Sequence, residues 1–115
     1  MEAAYRTPLI TMSIAKACLI LGCYEDFLEW LIKNGLLGYE ETKLRKDPND
    51  YTTVRVSLEE ACYVVHVFTR RKALGQSIQE IGDHLIMDHP GDAESLVHAE
   101  EVVLRYDREK RCGNN

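Results

Sequence analysis

The most informative shortage in this sequence is positive charge. Its 115 residues include 14 Lys and Arg against 19 Asp and Glu, for a formal net charge of −5. Proteins that coat nucleic acids without sequence preference usually carry the opposite sign. The balance therefore counts against broad nucleic-acid coating, although a local basic patch is compatible with it.

Long apolar runs are missing as well. No segment approaches the roughly 18 uninterrupted apolar residues of a transmembrane helix. The first residues, MEAAYRTPLITM, lack the basic start and apolar stretch of a signal peptide. With 45% hydrophobic and 29% charged residues, the composition is that of a globular chain rather than a disordered one. We expect one cytoplasmic domain with a modest core.

Paired cysteine motifs and catalytic signatures are also missing. The four cysteines, Cys18, Cys23, Cys62 and Cys112, form no CxxC pair, and the first two are not at a usual zinc spacing. The first three fall in apolar patterns typical of reduced core thiols. Cys112 lies in a polar tail, either as a frayed end or as a sensing thiol. Because no catalytic triad, phosphate-binding loop or Cys-His pair is present, we expect no catalysis, cofactor or metal.

Two short helices joined by a glycine turn are predicted near the start of the chain. Residues 1–11 are expected to form a flexible lead-in, because Pro8 disfavours helix. Apolar spacing predicts a helix over 13–21, ended by Gly22, and a second helix over 24–34. Helices of this length on either side of a tight turn form a helix-turn-helix unit. Their expected apolar side consists of Ile14, Ala15, Cys18, Leu19, Leu21, Phe27, Leu28, Leu31 and Ile32.

A β-hairpin is predicted directly after these helices. Segments 36–41 and 51–56 are candidate strands, and the Asp-Pro-Asn-Asp sequence between them indicates a turn. A hairpin in this position is typical of the wing in a winged helix-turn-helix domain. We therefore expect a mainly α, winged helix-turn-helix fold over 12–88.

Two further helices are predicted from serine and glutamate spacing after the hairpin. A capping box at 57–60 opens a helix over 58–74, and a second box at 77–80 opens a helix over 78–87. In each box the Ser hydroxyl is expected to accept from the Glu amide while the Glu carboxylate reaches back to the Ser amide. The first of these helices has one expected apolar side, formed by Leu58, Ala61, Cys62, Val65 and Phe68.

The last predicted helix is compatible with two roles. Asp92 is expected to cap a helix over 93–111, followed by a disordered tail at 112–115. Its apolar residues repeat with the 3-4-3 spacing of a coiled-coil seam. The seam either packs on the chain's own domain or joins two copies in a dimer, and two heptads alone rarely hold a dimer. The seam residues are Leu96, Ala99, Val103 and Tyr106.

The order of these elements resembles the MerR superfamily. The segment GCYEDFLEWLIKNGLL at 22–37 aligns without a gap on that family's Gly-Val-Ser-x-x-Thr-Leu-Arg-Tyr-Tyr-x-x-x-Gly-Leu-Leu pattern. The segment RRKALGQSIQEIGDHL at 70–85 is similar to its Arg-x-Leu-Gly-x-Ser-Leu-x-Glu-Ile-x-x-Leu-Leu pattern. The resemblance covers about 9–88 and implies a dimeric DNA-binding regulator. The coinciding residues are Gly22, Leu28, Trp30, Gly35, Leu36, Leu37, Leu74, Gly75, Ser77, Ile78, Glu80, Ile81 and Leu85.

The second helix departs from the MerR pattern in charge. Where that pattern has two arginines facing DNA, this chain has Asp26 and Glu29. In this respect the helix is similar to that of CbpM, a MerR-like chaperone-modulator family whose acidic helix implies binding to a basic J-domain. The acids also have an explanation without a partner. Glu25 and Asp26 lie where the helix dipole favours acids, and Glu29 can pair with Lys33.

Two functions follow, with DNA binding ranked first by a small margin because the hairpin is basic. In that hypothesis the protein is a transcriptional regulator whose wing contacts the DNA backbone. The alternative is a protein-interaction module whose acidic helix binds a basic partner. The predicted DNA-binding residues are Lys43, Arg45, Lys46, Arg55 and Lys33. The predicted protein-binding residues are Tyr24, Glu25, Asp26, Glu29 and Trp30.

Overall fold

The protein is mainly helical, with a small antiparallel sheet. A computed structural model describes residues 8–43, 52–87 and 92–112. Among these residues, no helix is both long and apolar enough to span a membrane. The elements are β1 (Thr11–Ser13), α1 (Ile14–Leu21), α2 (Glu25–Lys33), β2 (Glu40–Lys43), β3 (Thr52–Ser57), α3 (Leu58–Ala73), α4 (Ile78–Met87) and α5 (Ala93–Cys112).

β3 is the central strand of the sheet, with β1 and β2 antiparallel on either side. In the register of β2 and β3, Glu41 faces Val54 and Glu40 faces Arg55. Opposed side chains of an antiparallel pair point to the same face, and neighbours along a strand point to opposite faces. Glu41 and Val54 therefore lie on one face of the sheet, and Glu40 and Arg55 lie on the other.

The first strand corrects the expected lead-in over 1–11. Thr11 pairs with Ser57, and the Ile10 carbonyl accepts the Leu58 N–H at 2.9 Å. A strand of three residues is too short to produce a readable alternation in the sequence, and its partner lies far along the chain. The prediction of a flexible lead-in is therefore wrong at residue 11, which belongs to β1. Residues 1–7 lie outside the described residues.

β2 and β3 pair as the predicted hairpin, but β2 begins four residues later than expected. The Leu36 N–H donates to the Leu31 carbonyl at 2.9 Å, so Leu36 still belongs to the closing turn of α2. Leu37 is buried in the core and anchors this turn. The segment that joins the two strands, 44–51, lies outside the described residues.

α1 and α2 have nearly the predicted bounds, but the buried side of α1 differs from the prediction. Ala17 and Cys18 are buried, whereas Ala15 is exposed and Leu19 is 84% exposed. The helix reads IAKACLIL, and with apolar residues on every side the period cannot identify the buried face. In α2 the predicted side is confirmed, with Leu28 and Leu31 fully buried. Phe27 and Ile32 pack against the core beside them.

The two predicted capping boxes differ in outcome. At the start of α4, the Glu80 N–H donates to Ser77 Oγ at 3.1 Å and the Ser77 N–H donates to Glu80 Oε1 at 2.8 Å, which confirms the box. At the start of α3, Ser57 Oγ accepts the Glu60 N–H at 3.2 Å. The Glu60 carboxylate instead accepts the Gly38 N–H at 3.0 Å. It therefore ties α3 to the loop that leads into β2.

α3 is covered on two sides, which explains why its buried residues exceed the predicted stripe. Leu58, Ala61, Cys62 and Phe68 are buried as expected. Val65 is half-buried at the edge of the core. The additional buried residues are Val64 and Val67.

α5 packs back on its own domain, so the first of its two possible roles is the one observed. Ala99 and Val103 are fully buried, and the half-buried Tyr106 packs against the core. Ala99 and Val103 are therefore covered within the chain, while Leu96 is 45% exposed and the predicted dimer seam stays a prediction. The helix also continues to Cys112, where a disordered tail was expected.

A buried ionic cluster holds the start of α5 against α3 and α4. Asp92 is only 2% exposed, and its carboxylate lies 3.5 Å from Arg71 Nη2 and pairs with His84 Nε2. Arg71 Nη2 also lies 2.9 Å from His84 Nε2. A buried carboxylate requires such partners, because removal of a charge from water is costly. The sequence predicted a helix cap at Asp92 and gave no sign of this cluster.

Candidate functional site

The exposed side of α2 carries all three acidic residues that the sequence predicted for protein binding. Because Leu28 and Leu31 are buried, the helix is rotated so that Glu25, Asp26 and Glu29 are exposed. Tyr24, just before the first turn, is 84% exposed. We call the surface formed by Tyr24, Glu25, Asp26 and Glu29 the acidic face.

Trp30 lies behind the acidic face rather than on it. Its ring packs edge-on against Phe68, with 5.6 Å between ring centroids, and Phe27 contacts the same ring at the same distance. Trp30 is half-buried and belongs to the border of the core. Its main role in this arrangement is to support α2, with only part of the indole open to a partner.

A groove of about 250 Å³ separates α2 from the hairpin. The groove combines an apolar lining with charged side chains, of which two are acidic and one is basic. The charged side chains are Glu29, Glu41 and Lys33, and the other lining residues are Ile14, Ile32, Tyr39 and Val54. Glu29 belongs to both surfaces, so the acidic face continues directly into the groove.

Arg55 has an internal role that the sequence did not indicate. Its Nη2 donates to the Thr11 carbonyl at 2.7 Å, and its Nε lies 3.4 Å from Thr11 Oγ1. The side chain lies on the opposite sheet face from the groove, in a second cavity of about 310 Å³ that also contains Glu40 and Glu60. Arg55 therefore holds β1 against β3, and it shares this cavity with two carboxylates.

The other predicted DNA-binding residues are not gathered into one described patch. Lys33 is exposed near the end of α2 and lines the groove. Lys43 ends β2, where its backbone pairs with Thr52. Arg45 and Lys46 lie outside the described residues.

Sequence reasoning identified the acidic face but missed the groove. Tyr39 is 52% exposed between Gly38 and Glu40, and an exposed aromatic between a glycine and an acid was the available signal. Ile14 and Val54 gave no such signal, because isolated apolar residues in predicted helices and strands are normally core. The described residues also hold no group of three metal-ligating side chains.

Similarity to known proteins adds no functional information. The chain matches no protein-family model, no curated protein and no solved structure. The acidic face and the groove therefore carry the functional inference by themselves.

Proposed function

We propose that this chain is a small protein-interaction module of the winged helix-turn-helix type, which binds a basic segment of a partner protein between α2 and the hairpin. The observation that carries this proposal is the continuity of the acidic face with an apolar groove through Glu29. A protein segment with cationic and apolar side chains fits both parts of this surface.

Charge and apolar contact have different parts in the proposed complex. An exposed ion pair contributes only about 0–1 kcal/mol, so the acids of the face mainly orient the partner and speed its association. Most of the affinity comes from apolar side chains that enter the groove beside Ile32, Val54 and Tyr39. The net charge of −5 adds a long-range attraction for a cationic partner.

The same surface is poorly suited to DNA. Affinity for a duplex depends on several Lys or Arg contacts to phosphates, and each contact releases counterions. Lys33 is the one cation among the groove residues, against Glu29 and Glu41. Arg55, which was ranked among the predicted DNA contacts, donates to Thr11 instead.

The test is charge reversal on the acidic face. The full chain and an Asp26→Lys/Glu29→Lys variant are used to capture partners from an extract, captured proteins are identified, and each is titrated by calorimetry. We expect the variant to bind at least about tenfold more weakly, because attraction becomes repulsion. The matched control is Glu101→Lys/Glu109→Lys, which makes the same charge change on exposed positions of α5.

A second variant separates the groove from the charge. Tyr39→Ala shortens an exposed aromatic lining residue without changing the net charge, and we expect it to weaken the same partner. Equal affinity of the partner for wild type, the face variant and Tyr39→Ala would place its site elsewhere and overturn the proposal.

DNA binding is the second candidate, favoured by the exposed side of α2 and by the basic residues Lys43, Arg45 and Lys46 that follow it in the sequence. In this hypothesis the hairpin contacts phosphates and α2 lies nearby. Anisotropy with a labelled random duplex at about 50 and 150 mM salt tests it, since phosphate binding falls steeply with salt. Micromolar binding that is lost in Arg45→Glu/Lys46→Glu and strengthened in Glu29→Lys would favour DNA. No binding at the lower salt would favour the protein partner.

A further inference from the structure

Two free thiols lie against each other at the turn between α1 and α2. The Sγ atoms of Cys18 and Cys23 are 3.7 Å apart, which is van der Waals contact. Gly22, with φ of 72°, gives the chain the left-handed turn that brings Cys23 back to the helix end. Cys18 is buried and Cys23 is half-buried, so one thiol is protected and the other is open to small reagents.

The backbone of the turn holds these two residues beside each other. The N–H groups of Gly22 and Cys23 both donate to the Cys18 carbonyl, at 2.7 and 3.2 Å. This helix ending usually brings two apolar side chains together at the corresponding positions. Here the contacting side chains are thiols, and a disulfide needs their sulfur atoms to approach to about 2.05 Å.

We propose that Cys18 and Cys23 form a reversible thiol–disulfide site that reacts with low-molecular-weight disulfides of the glutathione class. The proposal rests on the contact between the two sulfur atoms and the backbone bonds of the turn. It does not depend on the proposed partner binding.

The different exposure of the two thiols sets the order of the reaction. The Cys23 thiolate attacks one sulfur of glutathione disulfide, the disulfide bond breaks, and one glutathione thiolate leaves. Cys18 then loses its proton and attacks Cys23 Sγ, which forms the internal disulfide and releases the second glutathione. The two protein thiols are oxidised, glutathione disulfide is reduced, and the two thiol protons end on the two glutathiones.

Burial keeps Cys18 out of the first step. Burial, followed by the neighbouring Cys23 and the charges of Glu25 and Glu29, raises the pKa of the Cys18 thiol to about 12. Cys18 is therefore protonated at neutral pH, which leaves Cys23 as the thiol that reacts first. Formation of the mixed disulfide between Cys23 and glutathione also removes the Cys23 thiol as one cause of the raised pKa.

The remaining cysteines serve as internal controls. Burial raises the pKa of the Cys62 thiol to about 11, and this thiol lies in α3, away from the turn. Cys112 is exposed at the end of α5 and can join two molecules by an intermolecular disulfide. The full chain with Cys112→Ser removes that route while leaving the turn unchanged.

The test maps thiols after incubation of Cys112→Ser with mixtures of oxidised and reduced glutathione. After acid quench, alkylation in denaturant and digestion, trypsin cleavage after Lys16 and Lys33 leaves both cysteines on one peptide, 17–33. We expect this peptide to escape alkylation and to be lighter by two hydrogen atoms, and to recover both thiols after reduction. The Cys62 peptide is expected to stay fully alkylated.

Two variants and one condition decide the outcome. In Cys18→Ser, we expect Cys23 to remain in a mixed disulfide with glutathione. In Cys23→Ser, we expect Cys18 to carry no glutathione and therefore to be alkylated. Alkylation of both cysteines at every glutathione ratio would overturn the proposal. Persistence of the mixed disulfide in the dithiol protein would also overturn it. A disulfide that forms equally readily in urea would show that the folded turn makes no contribution.

Discussion

His66 is the residue whose environment most directly predicts a pH response. Its Nδ1 lies 2.8 Å from Ser95 Oγ, and its ring centroid is 4.5 Å from that of His98. Burial, followed by the nearby charges of His98 and Arg70, lowers the pKa of His66 below its usual 6.5. The folded state therefore disfavours the protonated imidazole on α3.

Acidification is expected to destabilise the protein through His66. Because its pKa is lower in the folded state, the unfolded chain binds more protons below about pH 6.5. The contribution of His66 to stability is complete above that pH and is lost as the pH falls towards the folded pKa. We expect His66→Gln to reduce the difference between urea midpoints at about pH 7.5 and 5.5.

Substitution of the neighbouring ring, His98, provides the control for this prediction. His98→Gln removes one of the positive charges that lower the His66 pKa, so the pH dependence should decrease but not disappear. If His66→Gln has the same pH dependence as wild type, the destabilisation on acidification has another origin.

At the scale of elements, Glu60 connects the start of α3 with the loop before β2. Its carboxylate accepts the Gly38 N–H, and the bond is exposed, so water replaces part of it when the carboxylate is removed. We expect Glu60→Ala to lower the free energy of unfolding by about 1 kcal/mol. Urea denaturation measures this change, and amide exchange in β2 reports whether the loop loosens.

Glu59→Ala is the matched control for Glu60→Ala. Glu59 lies in the same helical turn, so the interaction with the helix dipole is similar in both positions. Burial and then the charge of Glu100 raise the pKa of Glu59, which means that its ionised form is disfavoured in the fold. Glu59→Ala should therefore lower the free energy of unfolding by less than Glu60→Ala does. Equal losses would assign the effect of Glu60 to the dipole alone.

Periodicity predicted the helices well where polar and apolar residues fall on opposite faces of the helix. α4 has the predicted bounds, and the buried side of α2 is as expected. Periodicity failed for α1, because seven of its eight residues are apolar, and for β1, because three residues carry no period. The seam of α5 was ambiguous for a physical reason, since the same spacing suits a helix of the same chain and a helix of a second copy.

At the scale of the whole molecule, the packing of α5 predicts that its seam stabilises the monomer. Val103 is fully buried, so Val103→Ala should lower the free energy of unfolding by about 1–2 kcal/mol. The sedimentation mass should be that of one chain for both proteins. Leu104→Ala is the control. Because Leu104 is partly exposed, this substitution should lower the free energy of unfolding by less than Val103→Ala does. A doubled mass that Val103→Ala abolishes would support a dimer seam instead.

The candidate site could be predicted from the sequence only in part. The acids of α2 could be identified because they are negatively charged where the MerR pattern, which the sequence resembles, has arginines. The groove could not be predicted, because its apolar residues Ile14, Ile32 and Val54 come from three different elements. Their association depends on the tertiary packing, which the sequence pattern of each element does not specify.

The sheet order has a consequence for the order of folding. β1 and β3 pair through Thr11 and Ser57, which are far apart in the chain, whereas the contacts of α1 with α2 and of β2 with β3 are more local. Pairing between distant segments pays a larger loop-closure entropy, so we expect β1 to dock late. Ile14 directly follows β1, and the groove is therefore completed only when the first strand has joined the sheet.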